Sequence, residues 1–167
     1  MKNNKYKAFI TYSHTDSKVA SWLQRSLESY HVPARLVGKK RKKSTIPARL
    51  KPIFRDRDEL SAGSNLSQTI NAALKNSEYL IVVCSPAARK STWVNLEITE
   101  FRKTHGVDKI ICVIAAGEPF AKRGTEQEEL ECFPEALGYG NSLSDLSGED
   151  VAEPIAADLR PEADGRR

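Results

Sequence analysis

Apolar residues in this chain fall into short continuous runs, separated by stretches in which they recur every three or four positions. The runs predict five strands, at residues 8–12, 51–54, 80–84, 109–114 and 154–157. The third and fourth runs are apolar throughout, as parallel strands covered on both faces are. Pro52 lies in the second run and favours an edge position for that strand, because proline cannot donate to a sheet ladder.

The stretches between the runs carry helical spacing. They predict helices over residues 19–30, 66–74 and 93–104, with one short helix within 126–137. Ser13 and Asp16 resemble a capping box at the start of the first helix, and Ser91 or Thr92 is the expected N-cap of the third.

The third helix has two faces of different character. Val94, Ile98 and Phe101 share one face, which we expect to be buried. Trp93, Glu97 and Glu100 fall on a neighbouring face, just beyond the end of the third strand. In open α/β sheets, ligands bind at the carboxyl ends of the strands, so this face is the first candidate site.

Alternation of strands and helices predicts the fold class, a flavodoxin-like doubly wound parallel α/β sheet with strand order 2-1-3-4-5. Such folds end with a helix after the fifth strand, and we expect that final helix to be missing here. We expect one domain over residues 1–160, with 31–50 as a basic inserted loop. Residues 161–167 form a polar tail, expected to be a truncation point or a linker.

Composition narrows the class of protein. The 167 residues are enough for one domain, and 40% are hydrophobic. The polar N-terminus has no apolar segment behind it and no run is long enough for a membrane span, so we expect a cytoplasmic protein without a membrane partner. Cys84, Cys112 and Cys132 lie far apart in the sequence, which favours buried free thiols and gives no support for a zinc or other metal site.

The positive charge is concentrated in one place. The net charge is only +4, but Lys39, Lys40, Arg41, Lys42 and Lys43 are consecutive. Such a run is usually a solvated loop. Binding of acidic surfaces is the alternative, and nucleic acid is the weaker partner because no aromatic residues interleave for base stacking.

Several enzyme classes find no support. The three histidines, His14, His31 and His105, are scattered and suggest no Ser-His-Asp arrangement. Phosphorylated receiver domains need an aspartate after the third strand, where this chain has Cys84 and Ser85. No glycine-rich dinucleotide fingerprint follows the first strand.

Three segments together resemble the Toll/interleukin-1 receptor (TIR) domain family. Residues 6–13 resemble its first signature, and residues 54–63 resemble its second, an Arg-Asp loop known as the BB loop. Residues 93–97 are similar to the Trp-x-x-x-Glu motif of TIR domains that consume NAD. The likeness covers residues 5–115, with a weaker echo at 153–160, and is closest to bacterial TIR domains at the N-terminus of multidomain proteins.

The resemblance implies cleavage of NAD between nicotinamide and ribose, with Glu97 as the catalytic residue and NAD as substrate rather than cofactor. The chemistry is consistent with one carboxylate, because the pyridinium leaving group departs neutral and needs no general acid. Glycosidases that expel an alkoxide use two carboxylates. The alternative for Glu97 is an ordinary charge on an exposed helix face.

Other residues are expected to line the substrate site. Trp93 can stack on a ligand ring, or it can simply pack at a rim. Tyr12, Ser13 and His14 follow the first strand at the topological switch point, where the alternatives are helix capping and a solvated turn. Arg55 can meet phosphates or be solvated, and Asp56 can order the BB loop.

The rest of the BB loop is expected to serve assembly. Its residues Arg57, Asp58, Glu59 and Gly63 form a charged segment with few apolar anchors, beside an edge strand. Contact with a neighbouring TIR domain can fix this segment, so we expect activation by self-association. The alternative is a non-catalytic interaction module in signal transduction that only assembles with other TIR domains. The sequence leaves open whether the product is linear or cyclic.

Overall fold

The computed structural model describes residues 5–41, 44–55, 64–121, 124–138 and 156–163, with the side chains of 41, 44 and 64–67 not described. Its strands are β1 (Tyr6–Thr11), β2 (Lys40–Arg41), β3 (Ser44–Thr45), β4 (Ile53–Arg55), β5 (Ser77–Cys84), β6 (Ile110–Ile114) and β7 (Ala156–Asp158). Five of them form one sheet in the order β4-β1-β5-β6-β7, and every pair in it is parallel. Counted along the chain, these strands have the order 2-1-3-4-5, which confirms the predicted flavodoxin-like fold.

In the described part of the chain four α-helices surround the sheet: α1 (Ser17–Ser29), α2 (Ser64–Lys75), α3 (Pro86–Lys90) and α4 (Thr92–His105). Short 3-10 turns occupy His14–Asp16, Val107–Lys109, Glu126–Leu130 and Glu135–Leu137. The sequence predicted one short helix within 126–137, and the structure has two 3-10 turns there instead. Buried Cys132, Phe133 and Pro134 separate the last two turns and pull the chain towards the core.

Two apolar layers hold the sheet between helices. On one face α2, α3 and α4 pack against Phe9, Leu80 and Val82, and on the other α1 packs against Ala8 and Ile10. Both alternating sets of the third sheet strand are buried, as predicted, since residues 80–83 are all 6% exposed or less. The three cysteines are free and buried, also as predicted.

The face beside α1 is only partly covered. No helix follows β7 within residues 159–163, which are described. On this side of the sheet Tyr79 and Ile111 remain 38% and 37% exposed. This is the place where the fold class normally carries its final helix.

Residues 31–50 were expected to be a loop, and the structure corrects this. An antiparallel ribbon is formed, with a bridge between His31 and Arg49 and the short strands β2 and β3 further out. Between them Gly38 N donates to Ile46 O (2.9 Å) and Ile46 N donates to Lys39 O (3.0 Å). The excursion has its own backbone ladder and is therefore a shaped projection.

The predicted edge position of the second sheet strand is confirmed, and α1 protects that edge. Ile53 N donates to Glu28 Oε1 (2.8 Å), and Gln24 Nε2 donates to Ile53 O (2.9 Å). Side chains thus occupy backbone groups that another strand would use. Separately, the described helices include none that is both long and apolar enough to span a bilayer.

Candidate functional site

Two serine side chains cap the N-termini of α3 and α4. Ser85 Oγ accepts from Ala88 N (3.0 Å) at the start of α3, where Pro86 is the first helical residue. Ser91 Oγ accepts from Val94 N (3.4 Å) at the start of α4, which confirms Ser91 as a predicted cap. The hydrophobic pattern did not predict α3, because five residues are too few to show a helical repeat. Proline is also favoured in the first turn of a helix, where its missing N–H costs nothing.

The two faces of α4 lie in different environments. Val94, Ile98 and Phe101 are at most 1% exposed, so the predicted buried face is confirmed. The neighbouring face borders a cavity of about 200 Å³ in the groove between α2 and α4. Its walls are Ile70, Asn71, Trp93, Leu96, Glu97 and Glu100.

The cavity combines an aromatic ring with two carboxyl groups. Glu97 is half-buried, while the side chain of Trp93 is 57% exposed and so lies at the rim rather than in the core. Glu100 Oε1 accepts from Lys103 Nζ (2.8 Å), and this hydrogen bond lowers the pKa of the Glu100 carboxyl. None of the lining residues just named is cationic. Such a cavity suits a flat group of positive charge.

Sequence reasoning named one wall of this cavity and missed the other. Ile70 and Asn71 come from α2, a different segment of the chain. The spacing of residues 66–74 predicts a helix that includes Ile70, but nothing in that spacing points to a cavity. The available signal was weak: these positions become neighbours only because α2 and α4 cover the same face of the sheet.

A second group of predicted residues meets beside α1. Arg55 Nη1 donates to Tyr12 Oη (3.3 Å), and Arg55 Nε donates to Gln24 Oε1 (3.1 Å). The guanidinium carbon is 5.8 Å from the centroid of the Tyr12 ring. Tyr12 and Arg55, separated by 43 positions in the chain, are thus neighbours at the carboxyl ends of β1 and β4.

The predicted capping box at Ser13 and Asp16, in the turn after β1, is wrong. Neither Ser13 nor Asp16 makes a side-chain capping bond. Ser13 is buried and its hydroxyl is bonded to that of Thr15 (3.2 Å), while His14 is exposed. Asp16 Oδ2 instead accepts from Ser85 Oγ (2.6 Å).

This Asp16–Ser85 bond ties the turn after β1 to the end of β5. Burial raises the pKa of the Asp16 carboxyl, and the hydrogen bond from Ser85 opposes that rise in part. The two residues are 69 positions apart, which is why sequence spacing gave no sign of the link.

The remaining predicted residues cannot be placed. Asp56, Arg57, Asp58, Glu59 and Gly63 lie outside the described residues. Their predicted roles in the BB loop therefore stay predictions.

A larger groove of about 520 Å³ lies on the other side of α4, between residues of α3 and the turn at Glu135–Leu137. Its central amide, Asn95, already donates to Arg89 O (3.0 Å) and Ser91 O (2.9 Å) and accepts from Ala136 N (2.9 Å). Those bonds tie α4 to its surroundings, so this groove has a structural explanation. The smaller cavity at Glu97 is the better candidate.

Comparison with known proteins identifies a family and a relative. A family model described as TIR domain matches residues 8–131. A protein named NAD(+) hydrolase ApTIR, from an Actinoplanes species, is 35% identical over 119 residues. The aligned part is 68% of this chain and 14% of the relative, so the chain spans only a small part of that relative's length.

Proposed function

The chain belongs to the TIR domain family, and from this premise we propose that it cleaves NAD at the bond between nicotinamide and ribose. The observation that carries the proposal is the cavity between α2 and α4, where Trp93 and Glu97 lie one helical turn apart. Similarity to a protein named NAD(+) hydrolase supports the same chemistry.

Glu97 is the catalytic residue in this proposal. As the bond to nicotinamide lengthens, positive charge develops on the ribose carbon and its ring oxygen. A half-buried carboxylate beside the ribose stabilises that charge more than bulk water does, and it can hold a ribose hydroxyl in place. The electron pair of the breaking bond leaves with the nicotinamide nitrogen, which becomes neutral, so no general acid is required.

Water completes the reaction in the simplest case. Its oxygen bonds to the ribose carbon and one proton is released, giving ADP-ribose and nicotinamide. If a nitrogen of the adenine attacks the same carbon instead, the product is a cyclised ADP-ribose. Both outcomes start from the same Glu97-stabilised charge, so they share the first chemical step.

The rest of the cavity favours the substrate cation. The Trp93 ring can lie against the pyridinium, whose positive charge is attracted to an aromatic face. Glu100 contributes a second carboxylate to the same cavity, and its Oε1 already accepts a hydrogen bond from Lys103. Tyr12, Ser13, His14, Arg55 and Asp56 stay predicted contacts of the remaining parts of NAD, with Arg55 assigned to the phosphates.

One observation favours the competing function, a non-catalytic interaction module. Trp93 and Leu96 are 57% and 51% exposed on the same side of α4, and exposed apolar side chains also serve protein interfaces. Nicotinamide release by purified protein at high concentration separates the two functions. An enzyme releases nicotinamide and loses this activity in Glu97→Ala, but not in Glu162→Ala at an exposed control position. Wild-type protein that releases none is a module.

Activation by self-association is the second part of the proposal. A neighbouring TIR domain would fix the BB loop and complete the site, so specific activity should rise with protein concentration. Arg57→Glu combined with Glu59→Arg should flatten that rise without changing the thermal unfolding midpoint. A specific activity that stays constant across a wide dilution series, in protein shown to be active and monomeric, excludes assembly as the switch. We place the domain in a cytoplasmic multidomain defence protein, where clustering supplies the signal.

A further inference from the structure

The cavity between α2 and α4 is too small for a whole dinucleotide. Its volume is about 200 Å³, whereas sites that enclose a drug-sized ligand measure about 300–1,000 Å³. In the proposed function, on which this inference rests, Trp93 and Glu97 place the nicotinamide end of NAD here. The walls of the cavity therefore meet one flat ring and the substituent that this ring carries.

The wall supplied by α2 adds a chemical group that the α4 wall lacks. Among the described lining residues, only Asn71 has a neutral side chain that both donates and accepts hydrogen bonds. Its neighbour Ile70 packs against the apolar core, while Asn71 itself is exposed. The amide of Asn71 is thus available at the cavity, opposite the helix that carries Trp93 and Glu97.

The described contacts give Asn71 no structural role. No hydrogen bond between described residues uses its side chain. Asparagines nearby are different: Asn76 Nδ2 donates to Ala72 O (2.8 Å) at the end of α2, and the side chain of Asn95 bonds three backbone groups. Asparagine is also a weaker helix former than alanine, because its side chain competes for backbone hydrogen bonds. Its presence inside α2 is therefore not explained by the helix.

The ring substituent of nicotinamide matches this amide. Nicotinamide carries a carboxamide, with one carbonyl acceptor and an amino donor, and Asn71 carries the same two groups. Two such amides can face each other through two N–H···O hydrogen bonds. In the deamidated dinucleotide a carboxylate replaces the carboxamide, so it offers acceptors only. Its charge would also meet Glu97, whereas Lys103 offsets the charge of Glu100 through a bond of 2.8 Å.

We propose that Asn71 recognises the carboxamide of the bound nicotinamide, and that the cavity thereby selects NAD over nicotinic acid adenine dinucleotide. Trp93 can stack on either ring, and Glu97 acts on the ribose of both. Asn71 is therefore a specificity-determining residue, whose loss changes the preference between dinucleotides more than the rate of bond cleavage. In the competing explanation Asn71 is only a solvated side chain, and selectivity does not depend on it.

Three small pyridinium compounds test this recognition apart from catalysis. They are 1-methylnicotinamide, 1-methyl-3-acetylpyridinium and 1-methylnicotinate, which differ only in the ring substituent. None contains a ribose, so the protein cannot cleave them. Titration of the whole chain, followed by heteronuclear NMR, gives each dissociation constant and reports the side-chain amide signals of Asn71 directly. Those signals are identified by their loss in Asn71→Ala.

A matched control is available on the same helix. Gln68 is an exposed amide of α2 that does not line the cavity, so Gln68→Ala makes a similar change away from the proposed contact. Alanine favours a helix at both positions, and we expect both variants to fold. Thermal unfolding checks this before any titration.

Wild type should bind 1-methylnicotinamide about two- to tenfold more tightly than 1-methyl-3-acetylpyridinium, which has no N–H donor. It should bind 1-methylnicotinate at least about tenfold more weakly than 1-methylnicotinamide, because like charges then face each other. Asn71→Ala should bind the amide and acetyl compounds equally, within about twofold, and Gln68→Ala should keep the wild-type ratio. With whole dinucleotides, the ratio of kcat/KM for NAD over the deamidated form should fall in Asn71→Ala.

The proposal is overturned if wild type binds the three compounds equally or not at all, if Asn71→Ala keeps the wild-type ratio, or if the Asn71 signals do not shift on saturation. Failure of the proposed cleavage gives a different result. Wild type that shows the expected binding ratio but releases no nicotinamide from NAD retains the recognition and loses the enzyme. Nicotinamide release with a binding ratio that Asn71→Ala does not change retains the enzyme and rules out the recognition.

Discussion

Gly117→Ala is expected to disturb the loop that follows β6 through two separate effects. Gly117 has φ +85°, a conformation that residues with a side chain rarely adopt. An added Cβ would lie 2.5 Å from Leu130 O and 2.8 Å from ring atoms of Pro86. Leu130 O accepts from Glu118 N (2.7 Å), and Pro86 begins α3, so neither neighbour can move without breaking a bond or shifting a helix.

A second glycine separates the two effects. Gly124, in the same connection, has φ +73° and nothing within 4 Å of an added Cβ. The backbone conformation costs each alanine variant about 1–2 kcal/mol. Overlap in a packed site adds about 1–3 kcal/mol for Gly117→Ala only. We therefore expect a total of about 2–5 kcal/mol at position 117 and about 1–2 kcal/mol at position 124.

Thermal unfolding measures the difference directly. In a domain of this size each kcal/mol lowers Tm by about 2–4 °C, so Gly117→Ala should lower it by about 4–20 °C and Gly124→Ala by about 2–8 °C. Because Pro86 leads into α3 and then α4, the first variant should also lose nicotinamide release measured well below its Tm. Equal losses of Tm in the two variants would refute the reasoning, since only the conformational cost would then be present.

Three further experiments test the buried core, the pKa of Asp16 and the thiol of Cys132. Val82→Asp should abolish cooperative unfolding, because an unpaired charge at a fully buried site costs several kcal/mol. The control Tyr79→Asp, at a 38% exposed site of the same strand, should fold. A normal unfolding transition of Val82→Asp would contradict the two-layer core. Asp16→Asn should be at least as stable as wild type at pH 7, since burial disfavours the ionised carboxyl. The urea midpoints of the two proteins should converge as the pH falls towards 3.8, because the wild-type carboxyl then becomes neutral. A difference between the midpoints that does not change with pH would count against the burial effect. Burial raises the pKa of Cys132 from 9.0 to about 12. That shift lowers its thiolate fraction at pH 8 about a thousandfold, so iodoacetamide should label Cys132 only after unfolding, and rapid labelling of native protein would exclude the buried thiol.

The parts of the fold that could be predicted are those fixed by local pattern. A continuously apolar run such as residues 80–84 has few solutions other than a strand covered on both faces, and both sets of its side chains are buried. Spacing alone placed Val94, Ile98 and Phe101 on one buried face of α4. Short connections and right-handed crossovers then left one natural strand order.

What sequence reasoning missed depends on partners that are distant in the chain. Ser13 and Asp16 have the spacing of a capping box, but Ser85 arrives from the end of β5 and takes the Asp16 carboxylate. The ribbon escaped prediction because its strands are two residues long and contain no apolar residue, so they show no alternating apolar pattern.

Only the part of the candidate site that lies on one helix could be predicted from the sequence. Trp93 and Glu97 share a helix, so their common face followed from a spacing of four residues. The opposite wall, with Ile70 and Asn71, depends on how α2 packs beside α4, which no local pattern encodes. The pairing of Arg55 with Tyr12 likewise needed the register of β1 against β4.

Nicotinamide release by Glu97→Gln is the most direct test of the central claim. Glutamine is nearly isosteric with this half-buried glutamate, so the fold should be retained, and the rates are compared well below the thermal unfolding midpoint of each variant. Glu162→Gln, the same chemical change at an exposed position, is the control and should release nicotinamide like wild type. If Glu97 stabilises the developing ribose cation, Glu97→Gln should lose at least about a hundredfold in rate. Undiminished release by folded Glu97→Gln would contradict the assignment of Glu97 as the catalytic residue.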